Sequence, residues 1–470
     1  MSTILIKNPL LCCRIKENVR DDNVLDTFSG GHILIEDNLI VSVGPEEYAG
    51  KVDRIIDACR MVVLPGLVNT HHHFFQTLTR NIFSTQKSEL FDWLTTNYEI
   101  WKGIDGESFY LSAKIAIAEL LKSGCTTTSD HLYLFPENTE STVIDREIIA
   151  AKEMGIRFQP TRGSMSLSQK DGGLPPDSVT QTENDIFADI ERLLELYHDD
   201  SFGSMLKISL APCSPFSVTE KSMRQTADFA KKRNLQIHTH LAETKDEENF
   251  CLKKTGKRPF DYMESLNWIH ENAWFAHSIF LNDDEIKRAG QARIGISHCP
   301  SSNMRLGSGI CRVRALLDAG VNVSLAVDGS ASNDSSNMLL ELRNALLLSR
   351  LLVPQDWLNT EEILWMATKG GANALGRHDI GQILPGKCAD IIMVNMDRIE
   401  YSGAQHDPAA ALIFNVLMGP IDFSIINGKL VVENGKINGL DEKTLIRDHQ
   451  LVSTSLVNKA EQKSSRKLER

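Results

Sequence analysis

No two of the nine cysteines are spaced Cys-x-x-Cys, so a structural zinc–thiolate site is not expected. Cys12 and Cys13 are adjacent, a spacing that strains any mutual disulfide, and the set reads as reduced thiols. No apolar run approaches the roughly 20 residues needed to cross a bilayer. The opening Met1-Ser2-Thr3-Ile4-Leu5-Ile6-Lys7 has no charged segment followed by an apolar core, so no signal peptide is expected and a cytoplasmic location is. Positive charge is in deficit: 50 Lys and Arg face 62 Asp and Glu, a net charge of −12. That balance argues against a nucleic-acid backbone or an anionic membrane as partner.

What is present is an ordinary globular composition, 42% hydrophobic and 24% charged, over 470 residues. That length suits one large domain plus a small one. Residues 1–60 read as short strands and turns, such as Thr3-Ile4-Leu5-Ile6 and His32-Ile33-Leu34-Ile35-Glu36. From 61 to 379 the texture changes, and apolar strand-sized runs alternate with amphipathic helical stretches. The runs are Val63–His73, Gly124–Asp130, Gly155–Pro160, Leu206–Pro212, Leu235–His240, Trp274–His277, Ile294–His298 and Val321–Asp328. Eight such units predict an α/β fold, a closed (β/α)8 TIM-type barrel with its active site at the C-terminal ends of the strands. Two connections are long, 74–106 and 162–177, and are expected to shape a pocket or lid. From 380 to 440 the β texture returns, with an Asn427-Gly428 hairpin turn. This segment is too small to stand alone, and its expected partner is the N-terminal unit, giving one β-sandwich from both chain ends. Residues 441–470 are charged and predict a helical tail.

Chemistry collects at the strand ends. The run Val63-Leu64-Pro65-Gly66-Leu67-Val68-Asn69-Thr70-His71-His72-His73 ends in three histidines. Strand alternation points His71 and His73 one way and His72 the other, so the pair is half of a metal site. His240 ends the fifth run with Glu243 three residues on, His277 ends the sixth and Asp328 the eighth. Three imidazoles and a carboxylate suit a divalent metal that keeps a water, leaving Glu243 and His277 for proton transfer.

In this order, Pro65-Gly66-Leu67-Val68-Asn69-Thr70-His71-His72-His73, His240-Leu241-Ala242-Glu243, Ala276-His277, His298-Cys299-Pro300-Ser301-Ser302-Asn303 and Val327-Asp328-Gly329 resemble the amidohydrolase superfamily. The resemblance is to its branch of aminohydrolases that deaminate nitrogen heterocycles, and it covers nearly the whole chain. It implies one metal, zinc or iron, held by His71, His73, His240 and Asp328. Relatives with two metals bridge them through a lysine at the end of strand four. Here Lys207 lies early in that strand and Cys213 past its end, so one metal is expected. Ser129-Asp130-His131-Leu132-Tyr133, the stretch Arg162 to Ser178, and Asp328-Gly329-Ser330-Ala331-Ser332-Asn333-Asp334 look like sequences that deaminate 8-oxoguanine. The expected reaction is 8-oxoguanine to urate plus ammonia. The alternatives are an s-triazine (hydroxyatrazine) aminohydrolase, or an isoxanthopterin or guanine deaminase.

The roles that follow are expectations. A divalent metal lowers the pKa of its water towards 7. Asp328 is expected to accept that water's proton, Glu243 to protonate a ring nitrogen, and His277 to orient the nucleophile or stabilise the adduct. For the substrate, Gln76 follows the first strand and suits edge hydrogen bonds. Arg162 is placed at the end of the third strand to face a carbonyl oxygen, and Trp93 and Tyr98 are placed to stack or close over the ring. The expected partners are a small heterocyclic substrate and further copies of the chain in a homo-oligomer, with no nucleic acid and no membrane.

Overall fold

The computed structural model describes residues 2–21, 23–137, 139–415 and 419–468. Its centre is a sheet of eight parallel strands in sequential order. They are β1 (Leu67–Asn69), β2 (Cys125–Leu132), β3 (Arg157–Ser164), β4 (Ser209–Pro212), β5 (Ile237–Leu241), β6 (Ala273–His277), β7 (Gly295–His298) and β8 (Asn322–Leu325). Helices between them cover the outside, giving a TIM-type barrel. Several helices open on side-chain caps the sequence supplies, including Asp105 and Thr219, and Asn282 in a reciprocal box with Glu285. The ring closes between β8 and β1 largely through side chains. Thr70 Oγ1 meets Ser297 Oγ and Ser324 Oγ at 2.7 and 2.8 Å, and Val327 N–H donates to Asn69 Oδ1.

Two further sheets come from the chain ends. One has four strands, including Thr3–Lys7 and His32–Glu36, and the other has seven, in which Ile391–Asn395 pairs with Met61–Pro65. Their facing apolar residues, Ile4, Ile6, Ile33, Ile35, Val63, Ile391, Met393 and Ile425 among them, form a core separate from the barrel's. Here the expected first barrel strand is corrected. Val63–Pro65 belongs to the seven-stranded sheet, and the barrel begins at Leu67. Gly66 makes the changeover. A Cβ there would lie 2.0 Å from Thr126 Oγ1, so only glycine lets the chain pass this close to β2. Arg157 and Asp390, a buried bidentate pair at 2.9 Å, tie the barrel to the seven-stranded sheet.

The 74–106 connection is not irregular. It holds a 3-10 turn, Phe74–Thr79, and a helix, Leu90–Trp101. The helix Glu442–Leu468 packs on that turn: His449 Nε2 lies 3.0 Å from Thr77 Oγ1, and Ser453 Oγ donates to the Leu78 carbonyl. Among the described residues no helix is long and apolar enough to cross a membrane.

Candidate active site

His71 and His73 follow β1, and three carbonyl oxygens near them decide their tautomers. A carbonyl oxygen only accepts, so an imidazole nitrogen facing one carries the proton. His73 Nδ1 lies 2.8 Å from the His131 carbonyl, and His240 Nδ1 lies 2.6 Å from that of Cys213. His238 Nδ1 lies 2.9 Å from the Trp274 carbonyl, which leaves its Nε2 to accept from His71 Nδ1 at 2.7 Å. All three site imidazoles therefore present an Nε2 lone pair. His71 Nε2 and His73 Nε2 each lie 3.3 Å from Asp328 Oδ1, and His73 Nε2 lies 3.2 Å from His240 Nε2. Metal–nitrogen bonds of 2.0–2.1 Å in a tetrahedron put ligand atoms about 3.3 Å apart. His71 Nε2 is buried with no hydrogen-bond partner among the described residues. The donor set fits a divalent ion.

Electrostatics favour the same assignment. Burial holds His71 well below its usual pKa and brings His240 down to about 3. Burial would raise Asp328, but the His71 and His73 rings beside it outweigh burial and hold the carboxyl well below the usual range. Ser302 Oγ and Ser332 Oγ donate to Asp328 Oδ2 at 2.5 and 3.2 Å, so Oδ1 is the atom turned to the imidazoles. His277 and Asp328 sit at φ of 69° and 62°, and Ala242 at 51°. Left-handed backbone at residues other than glycine is costly and gathers at functional sites.

Glu243 stands beside this cluster, 3% exposed. Burial and the charge of Asp328 push its carboxyl well above its usual range. The N–H groups of Ala242 and Glu243 both donate to Glu247 at 2.8 Å, which fixes the loop that carries it. Glu243 Oε2 lies 3.6 Å from His277 Nε2, and His277 Nδ1 is held 2.9 Å from Asn303 Oδ1. Two buried carboxyl groups whose surroundings push their pKa values in opposite directions therefore face one cavity.

That cavity, of about 30 Å³, is lined by His73, His240, Glu243, His277 and Asp328 on one side and by Leu90, Trp93, Leu94, Phe216 and Leu306 on another. Gln76 lines it; its Oε1 accepts from Ala331 N–H at 3.3 Å, and a Cβ at Gly329 would lie 1.9 Å from the same oxygen. Trp93 lines it too. Two expected contacts are corrected. Tyr98 is not among the lining residues: its hydroxyl donates to Met165 Sδ at 3.5 Å. Trp93 and Tyr98 are five residues apart on one helix, about 140° around its axis, so they cannot share a face.

Arg162 is also outside. Its guanidinium bonds Asp189 Oδ2 at 2.5 Å and Gln181 Oε1 at 3.0 Å, and stacks 3.8 Å over Phe135. β3 runs on to Ser164, so Arg162 is not its last residue, and alternation turns it to the same side as Phe158, which stacks on Phe74 outside the barrel.

Other residues were not assigned from the sequence. His131 stacks on His240 at 4.9 Å, and its Nδ1 has no partner. Tyr133 lines the cavity two residues further on, a signal present in the Ser129–Tyr133 motif. Cys213 also lines it, 4.0 Å from His240 Nδ1, and burial pushes the thiol up to about 12. Leu306 and Phe216 had no signal. His72, as its parity predicts, is turned aside to Ser336 Oγ at 2.9 Å. Lys207 lies at the other end of the barrel, 3.5 Å from Asp200.

An eight-stranded barrel with buried imidazoles and two carboxyl groups gathered at the C-terminal ends of its strands is the architecture of a hydrolase site, and residues 62–431 match the Amidohydrolase family. The chain belongs to that family. It is similar, at 46% identity over 459 residues (97% of this chain and 100% of the relative), to an 8-oxoguanine deaminase of Pseudomonas aeruginosa. It is 34% identical over 437 residues, 89% and 90% of the two chains, to a hydroxydechloroatrazine ethylaminohydrolase of Pseudomonas sp.. A mutant atrazine chlorohydrolase from Arthrobacter aurescens, crystallised with zinc and atraton, superposes with a TM-score of 0.90 at 30% identity, covering 97% of this chain and 100% of that one.

Proposed function

We propose that the protein is a metal-dependent aminohydrolase that converts 8-oxoguanine and water to urate and ammonia. The observation that carries the reaction type is geometric: Asp328, its Oδ1 3.3 Å from His71 Nε2 and His73 Nε2, and Glu243, which burial and the charge of Asp328 push towards its neutral form, line a single cavity. Opposed carboxyl groups of this kind mark a proton acceptor and a proton donor. His71, His73, His240 and Asp328 would hold a divalent ion, which would supply an activated water as nucleophile. Asp328 would take the proton released by that water. Glu243 gives its proton to the ring nitrogen beside the carbon under attack, which draws electrons from that carbon. His277, fixed through Asn303, offers its Nε2 lone pair to the attacking oxygen's hydrogen. The amine leaves with the returned proton as ammonia.

The substrate rests on the likeness to the Pseudomonas aeruginosa deaminase. Zinc is proposed on the tetrahedral spacing and on the zinc in the chlorohydrolase crystal. A cytoplasmic location has the free thiols as its support. A homo-oligomer has the exposed Leu347, Leu351, Val353 and Trp357 as its support. The second reading, an s-triazine substrate, is favoured by the ethylaminohydrolase relative. The test is a panel of 8-oxoguanine, guanine, isoxanthopterin and hydroxyatrazine with metal-loaded protein. Ammonia released from 8-oxoguanine ahead of the others supports the proposal, and ethylamine from hydroxyatrazine with no ammonia from any purine would replace it.

A further inference from the structure

The proposed mechanism leaves a buried donor on a cavity-lining residue, the indole N–H of Trp93, without a role. The chain has six tryptophans. Trp101 Nε1–H donates to Thr79 Oγ1 at 2.9 Å, Trp268 to the Met223 carbonyl at 3.0 Å and Trp274 to the Thr70 carbonyl at 3.1 Å. Trp357 donates to the Leu352 carbonyl at 3.1 Å, and Trp365 to the Glu17 carbonyl at 3.4 Å. Trp93 is the exception: 2% exposed and lining the cavity, with an Nε1–H that meets no acceptor among the described residues. A buried donor left unmade is costly, and native structures supply it with a partner.

The cavity that Trp93 lines is where a bound substrate would supply one. Among the described residues no ring contact joins Trp93 to His71, His73, His240 or His277; its ring neighbour is Trp101 at 5.4 Å. Its backbone is pinned, since its carbonyl accepts from Asn97 Nδ2 at 2.9 Å, and the next turn is held by Trp101 on Thr79. A cavity of about 30 Å³ has room for about two waters. A bicyclic ring therefore needs this cavity to widen, and it enters against the wall formed by Leu90, Trp93, Leu94, Phe216 and Leu306.

We propose that Trp93 is a specificity residue, its indole Nε1–H donating to a ring carbonyl of the substrate at the end opposite the departing amine. The inference rests on the deaminase reading above. In 8-oxoguanine that group is the carbonyl at C8. Guanine carries a C–H there and leaves the donor unpaired, and a site built to make a hydrogen bond discriminates against the analogue that lacks the group.

The test is Trp93→Phe in the metal-loaded full chain, which keeps a ring and removes the N–H. For 8-oxoguanine, kcat/KM is expected to fall about tenfold, the worth of one hydrogen bond, with the change in KM. For guanine it should change by less than about twofold, because the lost bond was never made. Binding of urate, which has the C8 carbonyl, and xanthine, which lacks it, is measured alongside by calorimetry. Urate should weaken in the variant and xanthine should not. Equal weakening of both ligands, or of neither, would overturn the assignment. If the wild type turns over neither purine the deaminase reading fails, and the urate and xanthine pair still decides the role of Trp93.

Discussion

His71 Nε2 and Asp328 Oδ1 face each other at 3.3 Å, and the tautomer fixed by His238 leaves no proton on that nitrogen to lie between them. A lone pair and a carboxylate oxygen, both buried, are stable at that distance only with a cation beside them. His238 acts on this arrangement at one remove, since it accepts from His71 Nδ1. Residues that orient a metal ligand are worth about 10–100-fold in metal affinity. His238→Ala should lower zinc affinity by about that factor, read by competition with a chelating dye while the circular dichroism spectrum stays native. Unchanged affinity would remove His238 from the site.

Glu243→Gln removes the transferable proton and keeps the shape. General acid–base steps are worth about 10²–10⁴-fold, and kcat should fall within that range. Metal content, measured by atomic absorption, should stay at the wild-type level. A variant with wild-type kcat would remove Glu243 from proton transfer.

Arg162→Met separates the corrected reading from the expected one. With the guanidinium on Asp189 and Gln181, its loss should cost stability and leave KM alone. Breaking a buried pair costs about 3–5 kcal/mol, and the lower end applies because Arg192 still pairs with Asp189. A Tm drop with an unchanged KM is the expected result; a raised KM at unchanged Tm would return Arg162 to the substrate.

Acid should destabilise the fold through its buried neutral histidines. Burial brings both His72 and His298 from 6.5 down to about 3. Between those values the unfolded chain binds protons that the folded chain does not, so their contribution is present above pH 6.5 and lost as pH falls towards 3. Each adds a slope of up to about 1.4 kcal/mol per pH unit in that window. Thermal melts from pH 8 to 5 should show Tm flat at first and then falling below about pH 6.5. A Tm that rises on acidification would contradict the assignment of neutral buried rings.

Much of this site was legible in the sequence because strand parity survives the end of a strand. His71 and His73 keep one direction and His72 the other although β1 stops at Asn69. His240, Glu243, His277 and Asp328 were marked by lying where apolar runs stop. Parity also explains the failure at Arg162, where β3 outran the apolar run that announced it. Val63–Pro65 was placed in the wrong sheet because a buried apolar run carries no record of which sheet buries it. The helix Leu90–Trp101 was read as loop, so Trp93 and Tyr98 were given one role that a helix divides between two faces. Leu306 and Phe216 reach the cavity through tertiary packing alone, which leaves no local pattern.

The central claim is that one ion, held by His71, His73, His240 and Asp328, serves a deamination. Metal per chain and ammonia per urate, counted in the same sample given 8-oxoguanine, test it most directly. The account predicts about one ion per chain and ammonia equal to urate, with both lost in Asp328→Ala. Full ammonia release from protein holding less than about 0.2 ions per chain would contradict it, because such a site keeps its chemistry only with its metal.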